Sequence, residues 1–219
     1  MKLKKLFTMA LITLLALLCA TGLAACGGNP DGDGDDGGGV KTYTIEAEYI
    51  NLDGVPGAGI SGGADGVGMI FGDGTQAEKD LGWSGGYYVG YTHSILTLDF
   101  VFNSDKAETA TIILRLGSEL GDITLTPTSF AVKLNGAAFS YGSMSVAGSD
   151  MSSMTFTDKT VTSTAALVAG ENTISLSILQ NTINSGATGG PMIDCVKLKT
   201  KAALTWTEKT DNPGRRGEI

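Results

Sequence analysis

Read for hydrophobic and polar alternation, the chain is a succession of short apolar or β-branched runs. They are separated by Gly, Asn, Asp and Ser. Candidate strands cover residues 42 to 48, 86 to 91, 95 to 102, 108 to 116, 129 to 134 and 137 to 141. Further runs cover 154 to 157, 160 to 168, 173 to 180 and 192 to 199. In 108 to 116, Ala110, Ile112, Leu114 and Leu116 fall on one face, because side chains on a strand alternate with a period of 2. Asn135-Gly136 between two such runs predicts a tight hairpin turn, and Ala169-Gly170-Glu171-Asn172 predicts another turn. No segment carries a helical period. Short strands at this spacing predict an all-β fold, a β-sandwich or jelly roll. Leu52 to Gly74 and Tyr141 to Ser153 are Gly-rich or Ser-rich and read as surface loops.

The N-terminus differs in kind. Met1-Lys2-Leu3-Lys4-Lys5 precedes an apolar run from Leu6 to Ala20, which is shorter than a membrane span. Leu23-Ala24-Ala25-Cys26 then resembles a bacterial lipobox, whereas Cys19 follows the bulky Leu18. Residues 1 to 25 are expected to be a lipoprotein signal peptide, with Cys26 lipidated and the product anchored in the membrane on the extracytoplasmic side. Residues 26 to 39, almost entirely Gly and Asp, read as a flexible tether. Asp31, Asp33 and Asp35 imitate an EF-hand loop, but Asp36 takes the place of its glycine and Thr42 that of its closing Glu. Residues 40 to 200 are expected to form one domain, followed by a tail, 201 to 219, containing Trp206 and Arg215-Arg216. That tail either docks on the sandwich or begins something further.

Loss of the three signal-peptide lysines takes the net charge from −8 to −11. An acidic chain without a basic stripe argues against a nucleic-acid partner. Cys195 alternates with Lys197 and Lys199 and is read as an inert thiol on an outward strand face. His93 is the only histidine, and no G-x-S-x-G elbow or βαβ unit is present, so no enzyme activity is expected.

The chemistry sits at the two ends of the domain. Glu46 and Glu48 stand two residues apart in Thr44-Ile45-Glu46-Ala47-Glu48, and on a strand they point to the same side. Asp194, in Gly189-Gly190-Pro191-Met192-Ile193-Asp194, can join them only if the first and last strands lie side by side. Hard oxygen donors gathered in this way suit Ca²⁺, which takes roughly 6 to 8 oxygens.

Six segments carry a resemblance. Ile45-Glu46-Ala47-Glu48 resembles the EAE opening of carbohydrate-binding module families 6 and 35, and Ser84-Gly85-Gly86-Tyr87-Tyr88-Val89-Gly90-Tyr91 resembles their SGG-x-x-VGY segment. Leu96 to Phe102 with Ile112 to Leu116 is similar to their central strand pair. Val132-Lys133-Leu134-Asn135-Gly136, Leu167 to Leu176 and Gly190-Pro191-Met192-Ile193-Asp194 match three later segments in the same order. The match covers roughly residues 44 to 199.

The resemblance implies a galactose-binding-domain-like jelly roll that binds a polysaccharide or oligosaccharide without catalysis. It implies a structural Ca²⁺ held by Glu46, Glu48, the backbone of Ser84, and Asp194. It places a sugar cleft in the loops at one end of the sandwich, with Trp83, Tyr88 and Tyr91 as aromatic candidates and Asn181 and Asn184 as polar ones. The sequence departs from the pattern at Met192, where an Asn is expected. It departs again before Thr160, where a second cleft aromatic has only Met154 and Phe156 nearby. A monomer is expected. The alternatives left open are a surface adhesin whose cleft has degenerated, and an accessory subunit of a glycan-degrading system.

Overall fold

A computed structural model describes residues 39–53, 55, 69–72, 74–90, 92, 95–119, 121–150, 153–179 and 190–212. The signal peptide with Cys26, nearly all of the tether, most of the 52–74 loop, and Tyr91, His93, Asn181, Asn184 and Arg215-Arg216 lie outside these residues.

The strands in chain order are β1 (Lys41–Glu46), β2 (Met69–Phe71), β3 (Tyr88–Gly90), β4 (Leu96–Ser104), β5 (Glu108–Gly117) and β6 (Ile123–Leu125). They continue as β7 (Phe130–Leu134), β8 (Ala137–Ala138), β9 (Met144–Val146), β10 (Thr157–Leu167), β11 (Gly170–Ile178), β12 (Met192–Thr200) and β13 (Leu204–Thr205). One sheet runs β10-β5-β12-β3-β2, with β1 also paired to β12. The second runs β13-β4-β11-β7-β8, and β6 pairs with β9 separately. Every strand pair is antiparallel. The expected all-β sandwich is therefore the observed fold.

The core follows from alternation. Along β4 burial switches strictly, with Leu96, Leu98, Phe100 and Phe102 inside and Thr97, Asp99, Val101 and Asn103 outside. In β5, Ala110, Ile112, Leu114 and Leu116 are buried as their spacing predicts. These two faces, with Ile174, Leu176, Val196 and Leu198, meet in one apolar cluster drawn from both sheets. Asn135 (φ 51°) and Gly136 (φ 82°) both take positive φ. That is the type I′ geometry a two-residue hairpin requires between β7 and β8.

Several elements escaped the reading of the sequence. The strands β2, β6, β9 and β13 are two or three residues long, too short for alternation to register. A single-turn helix, α1 (Gln76–Asp80), is closed by a reciprocal capping box between Thr75 and Glu78. Its T-x-x-E signature was present in the sequence without a helical period beside it.

The tail docks on the sandwich, one of the two courses the sequence left open. Leu204 and Thr205 pair with Ser104 and Asn103 of β4. Asn212, buried, donates through Nδ2 to the carbonyls of Glu48 (2.9 Å) and Ile50 (2.6 Å), and its Oδ1 accepts from Leu52 N (3.3 Å). The domain thus extends to residue 212, and residues 206 to 212 form a strap across the end of β1.

Candidate functional site

β1 and β12 lie side by side, with Glu46 opposite Cys195. This is the neighbourhood of first and last strands that the acidic bookends required. The route differs from the expected one, because β1 ends at Glu46 and Glu48 stands in a 3-10 turn over Ala47–Tyr49. The two carboxylates still converge. A Cβ at Gly85 would lie 2.8 Å from Glu48 Oε1 and 4.0 Å from Glu46 Cδ. Gly85 (φ 66°) sits in a second 3-10 turn, Ser84–Gly86, where a side chain would be excluded by both conformation and space.

That turn is aimed at the acids. Ser84 N donates to Asp194 Oδ1 at 2.8 Å, and Ser84 Oγ donates to Glu46 Oε1 at 2.6 Å. The Ser84 carbonyl instead accepts from Tyr87 N within the turn, at 3.3 Å. Arg115 closes the far side, with Nε 3.0 Å from Asp194 Oδ2 and Nη2 donating to the Gly82 carbonyl at 2.6 Å. Its Nη1 reaches Asp158 at 3.1 Å, and Asp158 also pairs with Lys197 at 3.0 Å. Arg115 was not singled out in the sequence. Its signal was a lone cation inside the apolar run Ile112–Leu116.

Glu48 and Asp194 are completely buried, and Glu46 Oε2 is buried with no hydrogen-bond partner. Burial pushes the Glu46 carboxyl up to about 7, against the hydrogen bond from Ser84, with the nearby Glu208 charge adding to the rise. Burial likewise pushes Asp194 up to about 8, the Glu46 charge reinforcing it and Ser84 and Arg115 opposing it. Desolvation outweighs the guanidinium here. A cluster of buried acids with raised pKa values favours any cation that can replace the lost water. As the hydrogen bonds stand, no three His, Cys, Asp or Glu side chains among the described residues form a ready metal-ligand set. The Ser84 N–H and Arg115 take up both oxygens of Asp194.

Two expectations are corrected. Trp83 (7 % exposed) and Tyr88 (1 % exposed) present no open face for a sugar. With Met154, Phe156 and Met192 they form a second apolar cluster. Trp83 meets Tyr88 edge to face at 5.0 Å, and its Nε1 donates to the Met154 carbonyl at 2.7 Å. The indole is thus satisfied at both its apolar and its polar end, as buried tryptophans are. The departures at Met192, Met154 and Phe156 belong to this same cluster, so they fill space around Trp83.

Cys195 is also buried rather than exposed. The ladder between β12 and β5 shifts register between Ile193 and Cys195. That shift lies before Cys195, whose alternation with Lys197 and Lys199 is kept; Glu46, Asp194 and Ser84 beside it cover the thiol on that face. Burial raises the Cys195 thiol well above its ordinary range, which is consistent with an inert thiol.

No model of a protein family and no curated protein sequence matches the chain. Solved structures do. The CBM35 from Cellvibrio japonicus Abf62 matches with a TM-score of 0.50 at 14% identity, over 77% of this chain and 99% of that one. A family 35 carbohydrate binding module from Clostridium thermocellum matches at 0.45 and 19% identity, over 73% and 98%. The Podospora anserina GH26-CBM35 beta-(1,4)-mannanase matches at 0.45 and 22% identity, over 78% of this chain but 28% of that one. The chain therefore spans less than a third of the mannanase, whereas it covers nearly the whole of the isolated modules. The likeness to the Abf62 module is one of fold, the sandwich.

Proposed function

We propose that this chain is a non-catalytic carbohydrate-binding module that captures a polysaccharide or oligosaccharide. The observation that carries this reading is the sandwich closed by β1 against β12. It shares its fold with a CBM35 module along 99% of that module's length. The six collinear motifs point the same way. The affinity then resides in the loops at one end of the sandwich, with Tyr91, Asn181 and Asn184 as the remaining candidates from the sequence. In the same reading, Glu46, Glu48 and Asp194 hold a structural Ca²⁺ once Asp194 releases an oxygen from Ser84 or Arg115. The lipobox adds a lipid on Cys26 that displays the module outside the cell membrane.

A specific observation favours a second reading, a surface adhesin with a degenerate cleft. The aromatics Trp83 and Tyr88 are consumed by packing. A panel of glycans screened against the folded chain, with and without Ca²⁺, separates the two. Binding lost on Tyr91→Ala supports the module. Uniform silence from folded, Ca²⁺-loaded protein rejects it in favour of a protein partner. Metabolic labelling with a palmitate analogue, abolished by Cys26→Ser, tests the anchor independently.

A further inference from the structure

A cleft of about 520 Å³ lies between the C-terminal strap and the outward face of β4. Its floor is built by alternation, with Asp99, Val101 and Asn103 facing outward from β4 and Glu171 of β11 standing opposite Asn103 in the ladder. One wall is the strap from Trp206 to Asp211, and the other is the segment from Tyr49 to Asn51 that Asn212 ties to the strap. The cleft shares no residue with the Trp83 cluster or with the loop candidates Tyr91, Asn181 and Asn184.

Its lining combines two features. The first is open apolar surface in a concave place. Val101 is 46 % exposed, and Trp206 is half-buried, held edge to face against Tyr43 at 6.5 Å. The second is uncompensated charge. The cleft is lined by the carboxylates of Asp99, Glu171, Glu208 and Asp211, against the single ammonium of Lys209. That ammonium is already engaged, 3.0 Å from Asp53 and 3.2 Å from Asp211. Among the described residues no lysine or arginine pairs with Asp99, Glu171 or Glu208. Concave walls concentrate such a potential, which repels acidic ligands and raises the local concentration of cations. Carboxylates beside an indole hold an organic cation by charge-assisted hydrogen bonds and by attraction to the ring.

We propose that this cleft binds a protonated amine carried on a carbon skeleton, its ammonium among Asp99, Glu171 and Glu208 and its carbon framework against Trp206 and Val101. The proposal stands apart from sugar capture at the loop end of the sandwich. Two sources supply the chemistry, a glucosamine oligomer with free amines and an aliphatic polyamine.

The test is calorimetric titration of the Cys26→Ser chain, which is purified without lipid. The probes are glucosamine trimer, its fully N-acetylated counterpart and spermidine. An amine probe is expected to bind, and to weaken about tenfold when NaCl is raised from about 20 to about 300 mM. The acetylated trimer, with no charge to offer, is expected to bind at least about tenfold more weakly than the free amine. Heat from the glucosamine trimer alone assigns an amino sugar, and heat from spermidine alone assigns a polyamine; either supports the proposal. Trp206→Ala and Glu171→Gln are each expected to weaken binding about tenfold. Glu171 is exposed, so its substitution leaves the fold intact and keeps the test decisive where Trp206→Ala disturbs the strap. Silence from both amines overturns the proposal, as does equal binding of amine and acetylated trimer, or undiminished binding by Glu171→Gln.

Discussion

The side-chain amide of Asn212 donates to the main-chain carbonyl of Glu48 at 2.9 Å, across 164 positions of the chain. One residue of the strap thereby holds the turn that carries a buried acid, together with the Ile50 carbonyl and the Leu52 amide.

Asn212→Ala strands those buried backbone groups. The expected cost is about 2 to 3 kcal/mol, since each orphaned group forfeits its desolvation. For a chain of this size that is a fall of roughly 5 to 10 °C in melting temperature. Thermal unfolding followed by circular dichroism checks it. An unchanged transition would show that the strap is not held through this side chain.

The buried acids set the pH dependence of stability in the absence of metal. Glu46 is raised to about 7 and Asp194 to about 8, both above their unfolded values of 4.5 and 3.8. Between those limits the native state keeps protons that the unfolded chain releases. Stability is therefore expected to be greatest at the acid side and to fall as pH rises from about 5 to about 8. Asp158 works in the opposite sense at lower pH, because Lys197 and Arg115 hold its carboxyl below the usual range. Urea unfolding across this window, in chelator, measures the slope. A curve rising toward pH 8 would contradict the burial of Glu46 and Asp194.

Calcium is expected to reverse that loss. A cation bound only by the native state stabilises it by about 2.7 kcal/mol at a concentration 100-fold above Kd. The melting temperature should rise with Ca²⁺ and fall on chelation, most strongly near pH 8. Asp194→Asn should remove the response to metal. If Ca²⁺ leaves the transition unmoved in chelator-stripped protein, the acid cluster is closed by Ser84 and Arg115 alone.

Trp83→Ala is expected to destabilise by about 3 to 5 kcal/mol, through a cavity against Tyr88 and Phe156 and an unpaired Met154 carbonyl. Any loss of glycan binding in that variant reports unfolding. Trp83→Phe should keep most of the packing, and with it whatever the loops bind. Denaturant titration beside a binding assay distinguishes the two effects.

The thiol of Cys195 is expected to resist maleimide in the native state and to react once the chain unfolds. Burial both shields it and keeps it protonated. A chain with Cys19 and Cys26 replaced by serine isolates the signal, and mass spectrometry reads it. Rapid native labelling would place Cys195 at the surface, as its alternation with the lysines first suggested.

The strands and their inward faces were legible because alternation is a property of near neighbours. Leu96 to Phe102 alternates in the sequence and in burial, and Ala110, Ile112, Leu114 and Leu116 are buried as their period of two predicts, with Ile113 buried on the other face. Asn135-Gly136 turns the chain because its backbone conformation is local. The acidic ends could be paired from the sequence because hard oxygen donors at the first and last strands suit one cation.

What only the tertiary structure decided concerns surfaces. A tryptophan in a Gly-rich segment reads equally as a sugar platform or as a core residue. Packing by Phe156 and Met192, from segments far along the chain, made Trp83 the latter. The Ser84 turn and the acids beside it buried Cys195, although its alternation with the lysines holds. The strap, Arg115 and the cleft at Trp206 exist only where distant segments meet. Residue type sets what a side chain prefers, but long-range packing sets which preference is met.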